Sequence, residues 1–398
     1  MSTEPYYPGL EGVIAGETSI STIQGGLQYY GYSIADLAEG ATFEEVAYLL
    51  LHGELPNEEH LADFRALLAE SYDVPVPILN FLREVPLHVN SMSVLRSGIS
   101  ALSHFDPLSE ENTPEAIRDK AIRLLAQIPT LIAARYRFQR GEELPNPNPE
   151  LGLAGNLLWM LRGTEISSTH ERAMDVSLIL YAEHEFNAST FTARVVTSTL
   201  SDYHSAITAA VGALKGPLHG GANERVMDIL DEVGDPSNAE GWVRQTLASK
   251  RKIMGFGHRV YKDGDPRAEI LKHHCRQLAA ASGNMDLEQI ADVIEEVVRE
   301  EKHLPPNLDW PARGCITTWV WRWICSRRCS WRAGCRGGRA RHRAVVEQPS
   351  DPSGRVTACP PPQEFSAGGQ VTVFLASGLI EGGLMEGKRQ TTVRSRPG

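Results

Sequence analysis

Ala41-Thr-Phe-Glu-Glu-Val-Ala-Tyr-Leu-Leu-Leu-His-Gly53 reads as one complete helix with both ends written into it. Thr42 suits the N-terminal cap, and Glu45, three residues on, completes a capping box in which each side chain serves the other's backbone N–H. Phe43, Val46, Leu49 and Leu50 share one face at helical spacing. Gly53, followed by Pro56, stops the element. The same grammar recurs outward along the chain. Tyr203 to Leu214 puts Tyr203, Ile207, Ala210, Val211 and Leu214 on one side. Gly216-Pro217 ends that helix and leaves His219 in a loop just beyond it. Leu287, Ile290, Ile294 and Val297 mark another helix, with an acidic outer face. Strand-like signals near the start are short and lie in Gly9 to Ser21. No self-similarity at solenoid periods is present. The pattern predicts an all-α fold with a minor β element.

Composition bounds the rest. The chain has 398 residues, enough for two domains and a large core. A net charge of −11 gives no reason to expect nucleic acid or an anionic membrane as partner. Met1-Ser-Thr-Glu-Pro-Tyr-Tyr7 has neither a basic region nor an apolar run, so no leader is expected. No stretch approaches the roughly 18 apolar residues of a membrane span. A cytoplasmic location is the expectation. Only Cys275 precedes residue 311, which fits a reducing compartment.

Three stretches carry chemistry. In Gly216-Pro-Leu-His219-Gly-Gly-Ala-Asn-Glu224, glycines let a ligand approach the histidine closely. Met254-Gly-Phe-Gly-His258-Arg-Val-Tyr-Lys-Asp-Gly-Asp-Pro-Arg267 sets a second histidine in a glycine-rich turn, with Lys262 and Arg267 following. Pro306-Asn-Leu-Asp309-Trp310 beds a carboxylate among apolar side chains. Taken singly, each has a plainer reading: a structural histidine, a common turn, a cap. Together, His219, His258, Asp309 and Arg267 suit carbon–carbon bond formation. That chemistry needs a carboxylate base for a weakly acidic C–H, neutral donors for the enolate oxygen, and cations for carboxylates. Thirteen histidines without a spaced ligand cluster give no reason to expect a metal.

These stretches resemble the citrate synthase family, in the family's order. So do Gly9-Leu-Glu-Gly-Val-Ile-Ala-Gly-Glu-Thr-Ser19, Ala41 to Leu50, and Ala182-Glu-His-Glu-Phe-Asn-Ala-Ser-Thr190. The resemblance covers about three-quarters of the chain. It implies an acyltransferase that condenses acetyl-CoA with oxaloacetate and water to give citrate and CoA, the first step of the tricarboxylic acid cycle. Asp309 resembles the base that takes a methyl proton from acetyl-CoA. His219 resembles the donor to the thioester oxygen, and His258 the donor to the oxaloacetate carbonyl. His184 and Arg267 resemble ligands of the substrate carboxylates. Ile253, Met254, Gly255, Phe256 and Gly257, with Lys262, resemble the CoA-binding turn. The family fold is an all-helical homodimer with a large and a smaller closing domain. By that resemblance residues 1–221 are the first part of the large domain and 222–313 belong to the small domain. No tightly bound cofactor is implied; acetyl-CoA is a substrate. A propionyl-CoA enzyme making 2-methylcitrate is the nearest alternative, since one methylene is worth only about 1–3 kcal/mol in a pocket.

The resemblance stops just past Asp309. From Pro311 to Val346 there are nine arginines and no acid, and four of the seven tryptophans fall there. Family members continue with a segment of the form RLYHYMGLEVDLFTPLF. A codon choice exists in which one DNA stretch reads as that segment in one frame and as residues 314–331 here in the next. Residues 314–398 are therefore read as an out-of-frame segment in place of the rest of the small domain and the closing helices. Gln348-Pro-Ser-Asp-Pro-Ser353 stands where the family carries a carboxylate-clamping arginine; no matching arginine is assigned, and Arg355 is a candidate substitute. This loss motivates a second alternative, an inactive CoA-binding remnant. Cys325, Cys329 and Cys335 match no standard zinc spacing. A nucleic-acid patch within residues 313–343 is the weaker reading of the arginine tract, because selected basic tracts rarely begin inside a domain.

Overall fold

The computed structural model describes residues 16–216, 219, 222–258, 261, 264–283 and 285–311. Among these, fourteen α-helices follow three two-residue strands. The expected helices form: α2 (Phe43–His52) carries the Thr42–Glu45 capping box and ends on Gly53 in the left-handed region. α10 (Tyr203–Leu214) and α14 (Asp286–Lys302) also match, the former with Asp202 as an N-cap that the hydrophobic spacing does not reveal.

The strands correct one expectation. β1 (Ser21–Thr22), β2 (Gln28–Tyr29) and β3 (Tyr32–Ser33) form an antiparallel sheet in chain order, with Ser21 opposite Tyr29 and Gln28 opposite Ser33. Only Ser21 lies in the expected range; residues 9–15 are outside the described residues. The sheet anchors the end of α8 (Ser168–Tyr181). The fully buried Tyr29 hydroxyl donates to the carbonyls of Ile179 and Glu183 at 3.1 Å, and burial pushes its pKa well above the usual phenol range. Ser21 donates to the Glu183 carboxylate at 3.0 Å.

Two apolar clusters organise the helices. The first is built around α6 (Pro114–Phe138), which packs against α3 (Glu58–Glu70), α4 (Val76–Glu84), α5 (Ser91–Leu102) and α7 (Leu153–Arg162). Carboxylates tie helix ends together across it. Asp175 of α8 accepts from Phe43 N–H at the start of α2, and Glu44 accepts from Leu153 N–H at the start of α7. Each satisfies a donor that the helix itself leaves open. The second cluster joins α11 (Ala222–Val233), α12 (Ala239–Ala248), α14 and Trp310. Residues 222–313 thus divide. α13 (Pro266–Ser282) lies against α8 and α1 (Ile34–Gly40), and its Leu271, Cys275 and Leu278 join the first cluster, as does Leu308.

Candidate active site

The junction between α8 and α9 (Ala188–Thr197) is met by Asp309, Arg267, His258 and His219. Tyr181, the last residue of α8, donates its hydroxyl to Asp309 Oδ1 at 3.2 Å. His184, three residues on, shares a 3.2 Å hydrogen bond with the Tyr261 hydroxyl through Nε2. Its ring lies edge-on to His258, centroids 5.4 Å apart. Ser189, fully buried near the start of α9, shares a 2.8 Å hydrogen bond with His219 Nε2. α9 starts here because the Asn187 side chain caps it, accepting from Thr190 N–H at 2.9 Å.

The opposite wall is a strap folded onto a glycine turn. Gly255 has φ +91°, and a Cβ there would meet Trp310 Cε3 at 2.8 Å, so the turn needs glycine twice over. Gly257 donates to the Pro305 carbonyl at 2.8 Å, and Asn307 N–H donates to the Gly255 carbonyl at 2.9 Å. The Asn307 side chain donates to the Gly257 carbonyl at 3.0 Å and accepts from Asp309 N–H at 3.1 Å. Phe256 lies against Trp310, ring centroids 4.4 Å apart. Asp309 is therefore held by its own backbone and by the latch of Asn307. Its two neighbours go separate ways: Leu308 into the first apolar cluster, Trp310 into the second.

His258 follows the turn directly. Its Nδ1 accepts from Tyr261 N–H at 3.3 Å, which leaves the ring proton of the neutral tautomer on Nε2. The Tyr261 ring covers it, centroids 4.7 Å apart. Burial pushes His184 down to about 3, with the positive charge of Arg267 and neighbouring His258 adding to the shift. At neutral pH its ring is uncharged and carries one N–H. Arg267 is buried beside it, and its pKa stays above the usual guanidinium range because Asp265 outweighs burial. The guanidinium pairs side-on with Asp265, Nε to Oδ1 at 3.0 Å and Nη2 to Oδ2 at 2.8 Å, while Nη1 donates to the Leu180 carbonyl at 3.3 Å. Three of its five N–H donors are thus engaged. A carboxylate arriving here meets a neutralised pair with two donors to spare, and the neutral His184, not a bare cation.

His184, His258, Arg267 and Asp309 therefore converge, and His219 joins through Ser189. Ile253, Met254 and Phe256 pack their side chains against the second cluster and stay half-buried. Lys262, Arg355, the cysteine group and the arginine tract lie outside the described residues. Sequence reasoning assigned no role to Tyr181, Ser189, Tyr261, Asp265 or Asn307. Ser189, Tyr261, Asp265 and Asn307 sit inside the quoted stretches, and Tyr181 adjoins one. A cleft of about 390 Å³ between α2, α7 and α8 contains Glu44, Arg65, Arg172 and Asp175 but none of the residues above. Its buried carboxylates cap helices, and Arg172 donates to the carbonyls of Ala38, Glu39 and Ala41. It is a structural crossing point.

Comparison with known proteins bears on this arrangement. The family profile described as citrate synthase, C-terminal domain, matches residues 9–318. Citrate synthase 2 of Bacillus subtilis is 48% identical over 304 residues, 76% of this chain and 82% of that protein. The 2-methylcitrate synthase of Shewanella oneidensis is 41% identical over 348 residues, 85% of this chain and 92% of that protein. Among solved structures, the ternary complex of carboxymethyl coenzyme A and oxaloacetate with citrate synthase from the archaeon Thermoplasma acidophilum aligns with a TM-score of 0.74 at 31% identity. It covers 88% of this chain and 98% of that one.

Proposed function

The chain belongs to the citrate synthase family, and from that premise we propose that the seam between its two apolar clusters condenses acetyl-CoA with oxaloacetate. The observation that carries the reading is the convergence of Asp309, His258, His184 and Arg267, with His219 beside them through Ser189. Residues 253–257 with Lys262 receive CoA. Asp309 takes a proton from the acyl methyl group, and the electron pair of that C–H bond moves into the enol. His219 hydrogen-bonds the thioester oxygen as charge builds there. The enol carbon bonds to the oxaloacetate carbonyl carbon, whose oxygen is polarised by the Nε2–H of His258. His184 and Arg267 hold the oxaloacetate carboxylates. Water then cleaves the citryl-CoA thioester, releasing citrate and CoA. Within residues 222–313, the part packed in the second cluster closes over the substrates, and closure excludes water before the proton is taken.

A homodimer in the cytoplasm completes the proposal. Phe191, Val195 and Leu200 form an exposed apolar strip along and just after α9, which a second copy would cover. Cys275, the cysteine before residue 311, is buried, and its thiol donates to the Pro311 carbonyl at 3.1 Å. No described helix is long and apolar enough to cross a membrane.

The purified full chain, given oxaloacetate with acetyl-CoA or with propionyl-CoA, tests the reading through release of free CoA thiol. Faster release with acetyl-CoA is expected. Faster release with propionyl-CoA makes the chain a 2-methylcitrate synthase, the activity named in the Shewanella relative. Release with neither, alongside binding of CoA, makes it a remnant.

A further inference from the structure

The backbone around Tyr181 is pinned on both sides. Tyr29 donates to the carbonyls of Ile179 and Glu183, and Arg267 donates to the carbonyl of Leu180. Tyr181 stands between these anchors, buried, with its hydroxyl on Oδ1 of the equally buried Asp309. A tyrosine that needed only to fill this space would serve as well without its hydroxyl. The hydroxyl instead meets the one carboxylate on the strap.

We propose that Tyr181 is a positioning residue for the base: its hydroxyl holds Oδ1 of Asp309 and favours the ionised carboxylate that takes the proton. The inference rests on the role given to Asp309 above. A carboxylate shielded from water is driven toward its neutral form, and a neutral carboxylic acid cannot act as a base. A donated O–H opposes that drive, because it is strongest toward the charged form. The latch of Asn307 holds the Asp309 backbone; the 3.2 Å hold on Oδ1 is a separate one, made by a side chain. Tyr181 supplies it from the first cluster, from a helix end that does not depend on the strap.

The test uses the full chain labelled with carbon-13 at the aspartate carboxyls, with the Asp309 signal assigned by its loss in Asp309→Asn. Tyr181→Phe keeps the ring and removes the donor. The Asp309 carboxyl should then titrate about one pH unit higher than in the unaltered chain. The acid limb of kcat/KM should move by the same amount, with KM for oxaloacetate unchanged. If Tyr181→Phe does not fold, 3-fluorotyrosine placed at residue 181, a stronger donor of nearly the same size, should move the titration downward. An Asp309 titration that stays put in the variant that folds overturns the proposal. The carboxyl titration needs no turnover, so a chain that forms no citrate refutes the proposed function and still reports on Tyr181.

Discussion

The two apolar clusters make opposite contributions to the site. The first is large, built on the 25-residue α6, and delivers Tyr181, His184 and Ser189 from the ends of two helices. The second is small and delivers His258 from a glycine turn and Asp309 from the strap latched onto it. One wall is positioned by many helical hydrogen bonds. The other hangs on a few backbone bonds and one tryptophan. Asp309 lies on the boundary, with Leu308 in one cluster and Trp310 in the other. The arrangement teaches that a carboxylate can be placed accurately without belonging to either core, provided each core holds one of its neighbours.

The comparison breaks most severely at Asp309 itself. Asp309→Asn should lower kcat by about 10²- to 10⁴-fold, the usual range for a general base. Thermal melting should barely change, because the strap keeps both anchors. Next comes Trp310→Ala, which empties a fully buried site beside Phe256. It should destabilise the second cluster by about 3–5 kcal/mol. Hydrogen exchange should rise in α11, α12 and α14 while α6 and α8 stay protected; a uniform rise would merge the two clusters into one unit. Ser189→Ala removes a hydrogen-bond partner of His219 and should lower kcat by up to about tenfold, since an intramolecular hydrogen bond is worth about 0.5–1.5 kcal/mol. KM for oxaloacetate should hold, because the proposed mechanism assigns His219 to the acyl group.

The smallest effect lies inside the first cluster. Burial, with the nearby charge of Glu44, pushes Asp175 up to about 7 from its usual 3.8. The folded protein therefore holds this proton more tightly than the unfolded chain does. The resulting stability is complete below the usual value of 3.8 and is lost as pH rises through about 7. Asp175→Asn stays neutral and still offers an acceptor to Phe43 N–H. Melts across that window should show a flatter dependence of Tm on pH in the variant than in the unaltered chain. Activity at neutral pH should change little.

The helices and the candidate site residues were legible for the same reason: each is written locally. The capping box at Thr42, the apolar faces of α10 and α14, and the histidines bedded in glycine announce themselves within a dozen residues. What stayed hidden depends on pairs far apart in the chain. Tyr181 meets Asp309 across 128 positions, and Arg267 reaches Leu180 across 87. Nothing in the spacing of α8 marks its last tyrosine as anything but core. The pairing of Arg267 with Asp265 was equally silent, although the two are near neighbours, because a motif shows that a charge is present and not what already engages it. The sheet was misplaced because two-residue strands are too short for alternation to show. The reading of residues 314–398 as out of frame is checked by sequencing the DNA encoding residues 310–355. A frame that matches related genes without an added or missing base would refute it.

The most direct test of the site is proton abstraction alone, separated from condensation. The chain is mixed in deuterated water with acetyl-CoA and a dicarboxylate that resembles oxaloacetate but lacks its ketone. Proton NMR then follows loss of the acetyl methyl signal. If Asp309 is the base at the seam of the two clusters, the methyl group exchanges in the unaltered chain and stops exchanging in Asp309→Asn. Exchange that persists in Asp309→Asn, or none in the unaltered chain with both ligands bound, contradicts the account.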